Sequence, residues 1–344
     1  MVYSFELIKH ANIRYRDSLI VLSRCELFAM LWSLGVTAEI REENLGGSRF
    51  LTVECRDLNE SEIAFLSGHS SFCFMAENRN GLLRPLPVSF AGYLPEDLPE
   101  VLKYKGKTSA PFMRMMINTA VSLSSFSHMD TPLVFFDPVC GKGTGCFCAV
   151  TAGMNAVGLD LDRKDIREAS DYFSRYLKLH KLKHELHDRS ETASGHSLPV
   201  TDFVFADTKD HFRSGDCRTL SFACADTMDA PALFRKRKAH IIAADLPYGV
   251  QHAPQPQAGS RPDSLQRFLR RVLPVWKKVL SPGGVIALSF NTLTLPAADV
   301  REALVRAGFR LPVNDIFSGL KHDVEQAVIR DLVFAFNSEE ESVL

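Results

Sequence analysis

FFDPVCGKGTG, residues 135–145, decides how the rest of the chain is read. The apolar run Leu133–Phe136 just before and within it has the length of a buried strand. Asp137 stands at the strand's end, and Gly141, Gly143 and Gly145 follow before a helix predicted from Cys146. Glycines in a strand-to-helix loop let the backbone turn tightly and come close to a ligand. Asp137 can accept from an ammonium or from a backbone amide. The loop does not match Gly-x-Gly-x-x-Gly, and it lacks the Gly-Lys-Ser/Thr ending of a phosphate loop, so it suits a pyrophosphate poorly. Taken alone, it is also what a purely structural turn looks like.

Working outward, four more short apolar runs end in polar residues: NAVGLDLD (155–162), TLSFACAD (219–226), HIIAADLP (240–247) and GGVIALSF (283–290). Helical segments such as 163–182 and 262–280 lie between them. This alternation predicts an α/β fold, a Rossmann-like, mainly parallel sheet with helices on both faces. Ligands of such sheets bind beyond the carboxyl ends of the strands, where the strand order reverses. Asp160, at the end of the second run, can accept both hydroxyls of a ribose, and Leu161 can cover an adenine face. Asp162 reads as a helix cap. Asp226, after the third run, is placed to accept from an adenine amine, or to cap a helix over Met228–Phe234. Asp207, in FVFADTKD (203–210), competes for the same role. Acidic strand ends around a glycine loop suit a ligand with an adenosine and a positive charge, which favours S-adenosylmethionine over NAD or ATP.

The fourth run, HIIAADLPYG (240–249), resembles the (Asn/Asp)-Pro-Pro-(Tyr/Phe) motif of methyltransferases that modify amino groups on planar systems. The lone pair of such a nitrogen is delocalised. Asp245 and the Leu246 carbonyl can accept its two hydrogens, Tyr248 can stack on the flat acceptor, and Pro247 stiffens the loop. The plainer alternative for DLPYG is a proline turn closing a buried strand.

Across residues 105–336 the chain resembles the THUMP-associated tRNA guanine-N2-methyltransferases. DPVCGKGTG (137–145) corresponds to that family's DPxCGSGT loop, with Lys142 where Ser is usual. VGLDLD (157–162) corresponds to its VGxDID segment, and DLPYG (245–249) to its DPPYG loop. KTSAPFMRMMINTAV (107–121) resembles the helix that helps close the donor pocket, and VEQAVIRDLVFAF (324–336) resembles the antiparallel last strand of a class I methyltransferase sheet. The resemblance implies a donor set of Thr108, Asp137, Pro138, Cys140, Gly141, Gly143, Thr144, Asp160, Leu161 and Asp226. It implies a catalytic set of Asp245, Leu246, Pro247 and Tyr248, S-adenosylmethionine as cofactor, and RNA, tRNA first, as partner. Some members of that family need a small partner protein, which the sequence neither requires nor excludes. Leu246 in place of the first proline predicts a less rigid acceptor loop. Adenine or cytosine in DNA, a protein glutamine, and a binding module without catalysis are the competing readings.

Residues 1–104 read as a small α+β unit ahead of a catalytic unit at 105–344. In it, a helix runs through CELFAMLWSLGV (25–36), two strands flank Gly46-Gly47, Asn59 or Ser61 caps a short helix, and two strands flank Asn80-Gly81. The unit is too short for the ferredoxin-like plus THUMP pair, so it is expected to be a divergent recognition module. GYLPEDLPEVLKYKGK (92–107) reads as linker. Arg235, Lys236, Arg237 and Lys238 are the basic candidates for RNA contact. Arg267, Arg270 and Arg271 are a second set, or the solvated face of a helix. The segment 251–263, which carries His252, either folds over the acceptor or merely connects; His252 is given no base role. The net charge of −1 does not announce a nucleic-acid binder. Eight cysteines without a Cys-x-x-Cys pair predict reduced thiols and no zinc site. With no apolar run of about 20 residues and no signal-peptide pattern at Met1–Asp17, the expected location is the cytoplasm, away from membranes.

Overall fold

The computed structural model describes residues 1–9, 13–87, 92–104, 106–247, 265–325 and 328–338. In VYSFEL, Tyr3, Phe5 and Leu7 alternate with Ser4 and Glu6, the period of a strand with one face in a core. This is β1 (Val2–Leu7), followed by α1 (Ile13–Ser33), β2 (Glu39–Leu45), β3 (Ser48–Glu54), α2 (Glu60–Ser67), β4 (Phe72–Arg79) and β5 (Leu82–Pro85). The five strands form one antiparallel sheet in the order β2-β3-β1-β4-β5, with β1, absent from the sequence reading, at its centre. The two predicted hairpins are present, and Asn80 and Gly81 take the positive φ of a tight turn (53° and 85°). Asn59 caps α2: its side chain accepts from the Glu62 amide while Glu62 reaches back to the Asn59 amide.

α1 is apolar on two faces. Leu27, Met30 and Leu31 pack into the core of the small sheet, while Leu19, Leu22, Cys25 and Ala29 join the core of the larger unit. A buried polar joint fixes the seam. Glu26 accepts from Asn118 Nδ2 (2.8 Å) and from the Ser70 amide (2.9 Å), and Asn118 also donates to the Gly68 carbonyl (3.0 Å). The Ser71 amide donates to His69 Nδ1, which leaves the Nε2 hydrogen for the Ser23 carbonyl (3.0 Å).

Beyond it come α3 (Leu98–Val101), α4 (Ala110–Leu123), β6 (Val134–Asp137), α5 (Thr144–Thr151), β7 (Asn155–Asp160), α6 (Arg163–Leu179), β8 (His184–Ala193), β9 (His196–Phe205), α7 (Lys209–Ser214), β10 (Arg218–Cys224), α8 (Ala230–Leu233), β11 (Ala239–Asp245), α9 (Leu265–Val279), β12 (Leu280–Asn291), α10 (Ala297–Arg306), β13 (His322–Glu325) and β14 (Val328–Phe336). They build a nine-stranded sheet, β13-β14-β12-β11-β6-β7-β10-β9-β8. Its five central strands, β12 to β10, are parallel and β14 is antiparallel, as expected of a Rossmann-like class I methyltransferase sheet. The chain fills one side of β6 first and then the other, so the order reverses between β6 and β11.

The hairpin β8-β9 is an addition the sequence reading did not contain. It lies antiparallel on β10, so Asp207, just past β9, stands at the amino-terminal edge of the parallel strands. There it pairs with His211 (2.6 Å). That position removes it from competition with Asp226. Segment 92–104 is packed rather than loose: Tyr172 donates to the Leu98 carbonyl (2.6 Å) and Tyr176 to Asp97 (2.5 Å). α6 shows why these helices form. Asp162 accepts from the Lys164 and Asp165 amides, and Ile166, Ala169, Phe173, Tyr176 and Leu177 line one face. Among the described residues, no helix is long and apolar enough to cross a membrane.

Candidate active site

The carboxyl ends of β6, β7, β10, β11 and β12 share one edge. In register, Asp137 faces Gly158, Asp160 faces Cys224, and Asp245 faces Ser289. The loop after β6 is shaped by its glycines. Gly143 has φ +85°, and a Cβ there would lie 2.9 Å from the Phe222 ring. A Cβ on Gly145 would lie 2.6 Å from Asp137 Oδ2, so glycine lets α5 begin directly over that carboxylate. Pro138 and Cys140 are buried. The Cys140 amide donates to the Leu159 carbonyl (2.9 Å), and the Gly141 amide to Asp160 Oδ2 (2.8 Å), which ties the loop to the end of β7.

Asp137 is 3% exposed. Burial pushes its carboxyl up to about 8; the Val139 amide pulls it down by less, and Asp160 and Asp245 push it further up. Asp160 also accepts from the Asp162 amide (2.9 Å), and Leu161 beside it is left 47% exposed at the mouth. Asp162 is the cap of α6, as expected. Asp226 stands at the same edge and caps the short 3-10 turn Thr227–Asp229 through the Met228 amide (2.9 Å). Thr227 takes the Trp276 indole hydrogen (2.8 Å), so α9 pins that segment.

Lys142 does not point its charge at these carboxylates. It pairs with Glu168 and Asp165 on α6 and lies 5.1 Å from the centre of the Tyr104 ring. Tyr104, absent from the sequence reading, is within hydrogen-bond distance of Thr144 Oγ1 (3.0 Å). Four residues on, Thr108 donates to Asp245 Oδ2 (2.5 Å). One short segment therefore touches the loop after β6 and the end of β11, and Thr108, expected in the donor set, meets Asp245 instead.

Asp245 is held from three sides: besides Thr108, Ser289 donates to Oδ1 (2.8 Å) and Arg330 to Oδ2 (3.2 Å). The Arg330 guanidinium lies 4.8 Å from the Phe112 ring centre. Neither Ser289 nor Arg330 was legible, since they come from β12 and β14, 44 and 85 residues away. Leu246 departs from the expected looseness. Its side chain is 1% exposed in the core, and its amide donates to the Ser289 carbonyl (2.8 Å). Proline makes no such bond. Leu246→Pro, which would complete the Pro-Pro pair of the motif that DLPYG resembles, is expected to destabilise the fold by about 3 kcal/mol through the lost bond and the lost buried side chain. A urea midpoint equal to that of the parent chain would contradict this. Pro247 is half-buried. Tyr248 and the segment 251–263 with His252 lie outside the described residues.

The basic candidates separate. Arg235 reaches the Thr192 carbonyl, and Arg237 lies 3.3 Å from Thr219 Oγ1 at the start of β10. Lys236 and Lys238 are exposed beside them. All four precede β11, whose far end carries Asp245 about 20 Å away at ~3.3 Å per residue. The structure does not bring them to the acceptor loop. Arg267, Arg270 and Arg271 are exposed on α9, which starts at the carboxyl edge and runs back down the sheet. All eight cysteines are free thiols, and among the described residues no cluster of His, Cys, Asp or Glu is arranged for a metal ion.

These features give a Rossmann-like sheet with the strand order and antiparallel last strand expected of the class I methyltransferase fold, its carboxyl edge carrying Asp137, Asp160 and Asp245 beside a glycine loop. No protein-family model and no curated protein matches the sequence. Solved structures similar to the chain include TrmN from Thermus thermophilus, at 17% identity and a TM-score of 0.41 over 87% of this chain. The chain spans 59% of TrmN's length. Another is precorrin-6y C5,15-methyltransferase from Geobacter metallireducens GS-15, at 13% identity and 0.39, covering 72% of this chain and 98% of that one. A third is an RNA methyltransferase from Salinibacter ruber in complex with S-adenosyl-L-homocysteine, at 14% and 0.33, covering 69% and 97%. Similarity of this degree identifies no site residue and no substrate.

Proposed function

We propose that this chain is an S-adenosylmethionine-dependent methyltransferase whose acceptor is the exocyclic amino nitrogen of a nucleobase, guanine N2 in tRNA first. The observation that carries the reading is adjacency. The loops after β6 and β11 leave neighbouring parallel strands in the same direction, with Ile242 facing Phe136 in register, and the Tyr104–Thr108 segment bonds to both. The edge also suits the donor: a buried carboxylate ends β6 where a glycine lets α5 begin close above it, a second carboxylate ends the next strand, and the apolar Leu161 beside it is exposed. Bound there, S-adenosylmethionine supplies an activated methyl group.

The chain's own residues position the partners. Asp160 accepts from the ribose, Leu161 covers the adenine, and Asp226 stands beside the base. Asp245 and the Leu246 carbonyl receive the hydrogens of the acceptor amine, and Tyr248 stacks on its ring. An RNA base must leave its stack to reach them. Its backbone meets Arg267, Arg270 and Arg271 on α9, whereas Arg235–Lys238 would touch it only about 20 Å from the reacting nitrogen. Residues 1–87 hold nine Lys/Arg against eleven Asp/Glu, so RNA recognition by the 1–104 unit rests on shape rather than net charge. One observation favours a second reading, a binding module without transfer: Asp245 already receives Thr108, Ser289 and Arg330.

The test is transfer of labelled methyl groups to tRNA lacking its modifications, with nucleoside mass spectrometry of the product. N2-methylguanosine formed by the parent chain and lost in Asp245→Ala is the expected result. Donor binding with no transfer to tRNA, DNA or protein would replace it with the second reading.

A further inference from the structure

Negative charge in the cleft exceeds what surrounds it. Asp137, Asp160 and Asp245 end three adjoining strands, and Asp137 is recessed: it pairs with Gly158, two residues short of Asp160, and lies two steps below Asp245 in the β6–β11 register. Among the described residues, the titratable groups that act on Asp137 are all acids. Asp160 comes from β7, Asp245 from β11, the Cys140 and Cys146 thiols from the loop and α5, and the Tyr104 hydroxyl from the segment before α4. The nearby cations are directed elsewhere, Arg330 to Asp245 and Lys142 to Asp165 and Glu168. Among the described residues, the hydrogen bond recorded to its side chain comes from the Val139 amide, at 3.2 Å. A carboxylate so enclosed is costly to charge and takes a proton instead.

We propose that donor binding is coupled to proton release: the ammonium of the donor's amino-acid chain displaces the proton that Asp137 holds in the empty cleft. This rests on the donor reading above. The O–H bond of the carboxyl breaks, the proton goes to the buffer, and the carboxylate pairs with the incoming ammonium; nothing is oxidised or reduced. With its carboxyl pushed up to about 8 by burial, Asp137 favours the protonated form at pH 7 when no donor is bound. Affinity for an ammonium-bearing nucleoside then rises about tenfold per pH unit below that point and levels off above it.

S-Adenosylhomocysteine carries the ammonium without the sulfonium, while 5′-methylthioadenosine carries neither. Titration calorimetry of the full chain at pH 7, in phosphate, imidazole and Tris, reads the protons released from the dependence of the heat on buffer ionisation enthalpy. The expected result is close to one proton released per S-adenosylhomocysteine and none per 5′-methylthioadenosine. Asp137→Asn should abolish the release while still binding 5′-methylthioadenosine, which also reports that the variant is folded. Binding of S-adenosylhomocysteine with heats independent of buffer, or release that persists in Asp137→Asn, overturns the coupling alone. Binding of neither nucleoside overturns the donor reading and the coupling with it.

Discussion

Arg330→Met is expected to destabilise the fold by about 3–5 kcal/mol, the usual loss when one partner of a buried ion pair is removed. The Arg330 and Asp245 side chains are 6% and 9% exposed, so water does little to screen the pair. Methionine keeps the unbranched stem beside Phe112, which confines the change to the charge. His322, across from Arg330 in the β13–β14 register, cannot replace the cation: burial pushes its imidazole down to about 4, so it is neutral at pH 7. Thr108 and Ser289 still donate to the carboxylate, but neither carries a charge. Adding Asp245→Asn should recover part of the loss, since no ionised group is then stranded. Urea midpoints of both single variants and the double variant measure this. A double variant no more stable than Arg330→Met would show that the pair does not act as a unit.

Asp160→Ala is expected to weaken S-adenosylhomocysteine binding about a hundredfold, with RNA affinity changed less than twofold. Two hydrogen bonds from a ribose to a charged acceptor contribute roughly 3 kcal/mol, and each 1.4 kcal/mol is a factor of ten. The same carboxylate holds the Gly141 and Asp162 amides, so its removal also loosens the glycine loop at the point where it meets β7. RNA would touch α9 and the acceptor loop, away from β7. Calorimetry for the nucleoside and gel shift for tRNA separate the two affinities. A comparable drop in both would take Asp160 out of the donor site.

What could be seen in the sequence follows from range. The central strands are apolar on both faces and end in acids, so PLVFFDP, NAVGLDLD and HIIAADLP announce themselves, as does the glycine loop. β8 is an edge strand whose residues from Glu185 to Ser190 are all exposed, and HELHDRSETA carries no apolar signal. Without that strand, the run ending at Asp207 could be taken for one of the parallel strands, whose carboxyl ends lie at the opposite edge. β1 was missed for another reason: its partners β3 and β4 are some fifty and seventy residues on, and six residues give little periodicity by themselves. Leu246 looked like a weakened motif because the bond that anchors it comes from Ser289. Thr108 stands out only by resemblance, and there as a donor-pocket residue; Ser289 and Arg330, which also reach Asp245, come from β12 and β14, and no local pattern marks either. Of the two readings the sequence offers for Asp226, the structure shows the cap, on a 3-10 turn at the same edge as Asp160.

α1 belongs to two cores at once, and Glu26 in it is bonded to Asn118 of α4. The amino-terminal unit is thus no interchangeable attachment. A lineage exchanging it for another module would have to redesign the face of α4 that carries Asn118 in the same step. Descendants of such a chain are therefore expected to vary this unit by editing its loops, rather than by shuffling whole domains.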